Sequence, residues 1–294
     1  MAMRYCSLCG RRLRKEFFTY TSDQQPTQGS LVICADCNTT APHCLLCDRP
    51  MVARLAEDGV CADCLADRPR CSACGRPVGE GVRLQDGSQR VFCNHCAETL
   101  PACLACAAPV GRQGRQLPDG RFRCPLCEAT AIDDPSQAQT LYIQVQQIAA
   151  KRMGLVLGVP TPLVPVDHVQ LKSVLVSLAN GHPVEQRQPR GIYARKGTKR
   201  GIYVELGLPR IEMIQVIAHE LGHAWQMERK PLLDDLLVVE GFAEWVAYKT
   251  LEALGESSAM QLMVKRQDVY GEGLRQMLAT QPSDQTLAAD WRNP

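Results

Sequence analysis

Long apolar runs are missing from this sequence of 294 residues, and no stretch approaches the 18 or so consecutive apolar residues that a membrane-spanning helix needs. A membrane span is excluded on that ground. An excess of one charge is missing too: 33 Lys and Arg face 31 Asp and Glu, for a formal net charge of +2. Aromatic residues make up only 5% of the chain, which leaves few platforms on which bases could stack. The segment Met1-Ala2-Met3-Arg4-Tyr5-Cys6 reaches a cysteine before any apolar signal core can form, so the expectation is a protein of the reducing cytoplasm. With 45% hydrophobic and 22% charged residues, wholesale disorder is excluded as well.

Cysteine is absent after position 127, and before it the residue is abundant. All 16 cysteines form C-x-x-C pairs: Cys6/Cys9, Cys34/Cys37, Cys44/Cys47, Cys61/Cys64, Cys71/Cys74, Cys93/Cys96, Cys103/Cys106 and Cys124/Cys127. Two thiolates at that spacing present both sulfurs to one ion, and two such knuckles complete a closed tetrahedral zinc site. The gaps between knuckles alternate between long (24, 13, 18 and 17 residues) and a constant six. A long gap holds a hairpin, which pairs each odd knuckle with the one that follows it; an interleaved cross-brace is the alternative. The openings CSLCGRRL, CLLCDRPM, CSACGRPV and CLACAAPV, at Cys6, Cys44, Cys71 and Cys103, repeat in the same register. Four structural zinc modules are expected, at about 1–40, 41–67, 68–99 and 100–130, with metal ligation supplying most of their folding free energy. A disulfide framework would need an oxidising compartment, and a redox C-x-x-C would stand alone beside a βαβ unit.

Residues 1–130 carry 16 Lys and Arg against 13 Asp and Glu. Sixteen thiolate charges offset by four Zn2+ take the loaded array to about −5, the wrong sign for a general binder of phosphate backbones. A protein partner is the better expectation for the array, and nucleic acid is not expected.

After residue 130 a second domain, 131–294, is expected. Asp133-Asp134-Pro135 starts a helix whose stripe of Leu141, Val145, Ile148, Ala149 and Met153 ends near Gly154. A strand is expected around 163–169, and residues 191–206 read as a hairpin turning at Gly197-Thr198, with Arg195, Lys196, Lys199 and Arg200 at a solvated tip. His182, in Asn-Gly-His-Pro, is placed on an exposed loop. Helices follow from Pro209 to about Glu228, over 234–254 and over 257–279. The fold class expected is α+β: tandem zinc-ribbon or LIM-like modules, then a mainly helical domain with a small antiparallel sheet.

His219-Glu220-Leu221-Gly222-His223 lies on the first of these helices. Histidines at i and i+4 project from one face, so both imidazoles reach one metal while the intervening glutamate addresses its water. A catalytic site needs a third ligand and an open fourth position. Glu240-Gly241-Phe242-Ala243-Glu244 on the next helix supplies two carboxylates one turn apart within an apolar run, where charges need partners. Glu240 is read as the third ligand and Glu244 as the partner of a histidine's other ring nitrogen, with the two roles exchangeable.

H-E-x-x-H followed by a helix bearing E-G-F-A resembles the gluzincin metallopeptidases. More specifically, LPRIEMIQVIAHELGHAWQM with VVEGFAEW and, further on, YGEGLRQM is similar to the plant growth-limiting, ubiquitin-activated peptidases of the DA-one type. That resemblance covers roughly 135–280, and it implies LIM zinc modules joined to a C-terminal peptidase. This chain differs in having only cysteine ligands and six-residue spacers in its array, where LIM modules include a histidine and a shorter spacer. It also shows no ubiquitin-interacting helix.

The expected activity is hydrolysis of a protein or peptide substrate, as an endopeptidase in the sense that an extended segment would pair with the 201–206 strand. One catalytic Zn2+ on His219, His223 and Glu240 joins about four structural ones, Glu220 serves as general base, and Tyr248 and Tyr203 are the candidates for the oxyanion donor. A non-catalytic adaptor that only binds proteins is the alternative.

Overall fold

The structure is a computed structural model, and it describes residues 4–13, 16–20, 31–45, 47–51, 59–66, 68–178, 189–229 and 235–280. His182 lies outside the described residues. The class is α+β, with small zinc-type modules ahead of a helical domain that carries a three-stranded sheet. Contacts divide the chain into two compact units, one of residues 1–71 with 75–81 and one of residues 72–74 with 82–294.

Among the described residues, three of the modules place a pair of short strands between their two knuckles. The described hairpins are β1 (Phe17–Tyr20) with β2 (Leu31–Cys34), β3 (Gly81–Arg83) with β4 (Val91–Cys93), and β5 (Arg115–Gln116) with β6 (Phe122–Arg123). Each second knuckle opens a short helix: α1 (Ala35–Thr40), α2 (Ala62–Ala66), α3 (Asn94–Thr99) and α4 (Pro125–Glu128). The first knuckles share one backbone pattern. Residues Gly10, Asp48, Gly75 and Ala107 are all left-handed, and each donates its N–H to the carbonyl of the cysteine four residues back. The repeat seen in the residues is therefore a repeat of geometry.

The helical domain begins with α5 (Pro135–Ile148), capped by the Asp134 carboxylate on Ser136 N. A π-turn at Ala149–Met153 extends it to Gly154. Then come β7 (Leu163–Val166), α6 (His168–Leu178), β8 (Gly191–Lys196), β9 (Lys199–Glu205), α7 (Arg210–Arg229), α8 (Leu236–Leu254), α9 (Ser257–Lys265) and α10 (Val269–Thr280). The sheet order is β7-β9-β8. β8 and β9 pair antiparallel as expected, with Gly191 opposite Val204 and Lys196 opposite Lys199, while β7 joins β9 in parallel. This order corrects one expectation. The 201–206 strand lies in the centre of the sheet, because β7 takes its far side, and β8 is the edge.

Two other details differ from the sequence reading. The expected helix at 257–279 is broken between Lys265 and Val269: Arg266 turns to an extended conformation, and the Asp268 carboxylate then accepts from Gly271 N to start α10. Arg200 is not solvated at the hairpin tip. It is paired at 3.2 Å with Glu228, whose carboxylate also receives Gly158 N and Val159 N.

One hydrophobic core serves the domain, built from Leu141, Val145 and Met153, Ile202 and Val204, Ile214 and Ile217, and Trp225, Phe242 and Trp245. Trp225 and Phe242 stack with centroids 5.5 Å apart, which seats α7 on α8. Among the described residues no helix is long and apolar enough to cross a membrane.

Candidate metal centres and the composite site

The described structure gathers the sixteen cysteines into four clusters: Cys6, Cys9, Cys34 and Cys37; Cys44, Cys47, Cys61 and Cys64; Cys71, Cys74, Cys93 and Cys96; and Cys103, Cys106, Cys124 and Cys127. Each odd knuckle therefore pairs with its successor, and the cross-brace is excluded. None of the sixteen forms a disulfide. Sulfurs from opposing knuckles lie 3.8 Å apart (Cys9 and Cys34; Cys47 and Cys61), 4.0 Å (Cys74 and Cys93) and 3.7 Å (Cys106 and Cys124). Four thiolates at about 2.3 Å from one zinc stand about 3.8 Å from each other, so the clusters fit the ion. Backbone N–H groups of Cys34, Cys61 and Cys124 point at the sulfurs of Cys6, Cys44 and Cys103, stabilising thiolate over thiol. In the fourth cluster, Arg90 adds two donors, at 3.4 Å from Cys124 Sγ and 3.3 Å from Cys106 Sγ.

The fifth group is His219, His223 and Glu240. α7 carries the histidines one turn apart, and α8 brings Glu240 across to them because Gly222 lets the two helices approach closely. A Cβ there would come within 2.9 Å of the Ala243 backbone. His219 Nε2 and His223 Nε2 are 3.0 Å apart, and Glu240 Oε2 lies 3.2 Å from the first and 3.4 Å from the second. Donor atoms at 2.0–2.1 Å from a tetrahedral zinc are about 3.3–3.4 Å apart. Glu240 Oε2 is buried and has no hydrogen-bond partner among the described residues, although it stands at ion-pair distance from both rings. A buried carboxylate oxygen facing two imidazole nitrogens is what a shared cation would satisfy. Among the chain's own groups, burial favours neutral forms here, yet each charge sustains the other. Burial lowers the His219 pKa, but the Glu240 and Glu244 carboxylates outweigh it and raise it to about 10. Burial likewise raises the Glu240 carboxyl, and the two histidines bring it down to about 2.

The other ring nitrogens are held as well. His219 Nδ1 lies 3.4 Å from Glu244 Oε1, and Arg266 Nη1 donates to the same oxygen at 3.0 Å. His223 Nδ1 meets Gln226 Oε1 at 3.1 Å, and the Gln226 amide donates to Val239 O at 3.1 Å. Each ring is thus fixed in orientation by a residue behind it. Gln226 escaped the sequence reading, though its position three residues after His223 on one helix was a usable signal. Arg266 carried none.

Glu220, 7% exposed, accepts the backbone N–H of Tyr193 in β8 at 2.7 Å. That bond ties one carboxylate oxygen to the edge strand. Gly191 at the head of β8 sits so close to α7 that a Cβ would come within 2.5 Å of Val216 and 3.0 Å of the Glu220 side chain. The aromatic ring beside the histidines is Tyr270, with its centroid 5.9 Å from that of His219 and Arg266 stacked over it at 4.6 Å. Tyr203 lies on the central strand opposite Ile192 and Val164, and Tyr248 packs against the hydrophobic core. Neither has a described contact with the three converging side chains. Tyr270 belongs to the YGEG stretch noted in the sequence.

No protein-family model matches the chain. Aligned over 171 positions that take in 47% of this chain, the sequence is 28% identical to Protein DA1 of Arabidopsis thaliana. Over that part the chain resembles Protein DA1. The match spans 31% of that relative's own length. The four cysteine clusters support zinc-binding modules.

Proposed function

We propose that this DA1-like chain is a zinc-dependent peptidase, of endopeptidase type, whose zinc modules bind a protein partner. The observation that carries the reading is the convergence of His219, His223 and Glu240 within 3.4 Å of one another beside the buried carboxylate of Glu220. His219, His223 and Glu240 would hold the catalytic Zn2+. When bound, zinc polarises a scissile carbonyl and lowers the pKa of water toward neutrality. Glu220 takes the proton of the attacking water and delivers it to the leaving amine. The Tyr193 N–H orients this base by occupying one oxygen and leaving the other to exchange protons. Glu244 and Gln226 keep the rings aimed. β8, with one side unpaired in the sheet, is suited to receive an extended substrate by strand addition. Tyr270, Tyr203 and Tyr248 are the candidate oxyanion donors, and position favours Tyr270. The free cysteines suit a reducing, cytoplasmic setting.

Turnover of an unstructured protein such as labelled casein, measured for the full chain and for Glu220→Gln, tests this. The expected result is a fall of about 10²–10⁴-fold in kcat with zinc content unchanged. Wild type and variant that are equally inactive with zinc bound would point instead to the adaptor.

A further inference from the structure

We infer that the fourth zinc module is a positioning element of the proposed hydrolytic site, and that it holds the edge strand β8 against Glu220 through Arg190. The effect on turnover rests on the peptidase reading; the structural part stands on geometry alone. Every residue concerned lies within the second compact unit.

The knuckle of Cys103 and Cys106 presents Leu104, whose side chain packs against the core of the helical domain and whose carbonyl accepts a hydrogen bond from Arg190 Nη2. The other terminal nitrogen of Arg190 lies 3.1 Å from Glu205 Oε2. Glu205 ends β9, is 1% exposed, and its Oε1 stands at ion-pair distance, 2.5 Å, from Arg121 Nη2 of the same module. One buried carboxylate is therefore shared between a cation of the module and the cation that opens β8. A buried charge without its partners costs several kcal/mol, so this pairing constrains the strand rather than decorating it. Arg123, wholly buried, adds a second bond across the junction by donating to Gly207 O at 2.9 Å and to Asp133 at 2.8 and 2.9 Å.

The consequence runs along three residues. Glu205 N donates to Arg190 O, Gly191 follows against α7, and Tyr193 N then reaches Glu220 at 2.7 Å. Among the described residues β8 is bonded to the sheet on one side only, so its position depends on what anchors its start. Misplacing a reacting group by about 1 Å is enough to cost about 10²-fold in rate.

The test uses the full zinc-loaded chain with Arg190→Met and Arg190→Lys, followed by amide hydrogen exchange and by casein turnover. Arg190→Met is expected to speed exchange across 191–196 at least about tenfold while 163–166 and α8 stay as in wild type and zinc content is unchanged. The expected kcat falls about 10–100-fold with KM within about two-fold. Arg190→Lys, which keeps the charge but not the fork, should recover part of both, and it carries the test alone if the methionine variant does not fold. Unchanged exchange in 191–196, or protection lost evenly throughout the unit, would overturn the inference. Local loosening of β8 in a chain whose wild type hydrolyses nothing would support the positioning and sink the peptidase reading.

Discussion

At the scale of single residues, the site is a set of polar groups that burial would make costly without partners. Glu212 on α7 shows the same physics outside the site. Its side chain is 28% exposed, and burial pushes its carboxyl up to about 7 against the opposing pull of Arg190, 3.8 Å away. A folded-state pKa above the ordinary value of 4.5 means that the folded state favours the proton. No penalty exists where both states are protonated; it grows as pH rises through about 4.5 and is complete above about 7. Glu212→Gln should therefore stabilise the protein on the order of 2 kcal/mol at pH 8 and hardly at all at pH 4.5. Thermal unfolding of both proteins across that range checks it, and a gap independent of pH would refute it. His219 and His223 on one helix, with Glu220 between them, and Glu240 and Glu244 on the next could be picked out by helical spacing, while the facing of the two helices comes from their packing at Gly222. Gln226 was recoverable from the same spacing, whereas Arg266 reaches Glu244 only through the break after α9.

At the scale of elements, the close packing of α8 on α10 places Glu240. Gly241 and Gly273 face each other so tightly that a Cβ on Gly241 would come within 2.8 Å of the Gly273 backbone. The glycines of E-G-F-A and Y-G-E-G are thus one contact, made possible by the turn at 266–268 that folds α10 back. Gly241→Ala is expected to destabilise by about 1–3 kcal/mol and to weaken metal retention by the neighbouring Glu240. Denaturant midpoints with zinc analysis would show this, and a variant as stable as wild type would contradict the packing. The sheet gave the least warning. The hairpin was readable from its turn, but strand order depends on where β7 docks, and four residues of Leu-Val-Pro-Val do not encode a neighbour.

At the scale of the whole molecule, the proposal predicts five zincs per chain, falling to four in His223→Ala, by elemental analysis. The clusters should also differ in reactivity. Cys9, Cys47 and Cys74 are exposed in the first three, whereas the fourth has no exposed cysteine and carries the two Arg90 donors. Under a mild chelator with an alkylating agent, Cys103, Cys106, Cys124 and Cys127 should be the last modified, and mass spectrometry of the labelled peptides reads the order. Simultaneous modification of all sixteen would refute the distinction. The fourth module shares a compact unit with the helices, although its cysteines mark it as one of a series.

The sequence by itself determined what spacing controls: which cysteines cluster, which helix carries the two imidazoles of His219 and His223, and which carries the carboxylates of Glu240 and Glu244. Within one knuckle or one helical turn backbone geometry brings the groups together wherever the segment lies, whereas Glu240 reaches the two histidines because α8 packs closely on α7. Only the tertiary structure decided which strand is the edge, which tyrosine stands beside His219, and that Arg190 and Arg121 meet on Glu205. Such contacts join segments far apart in the chain, and packing of the whole core, rather than any local pattern, selects them.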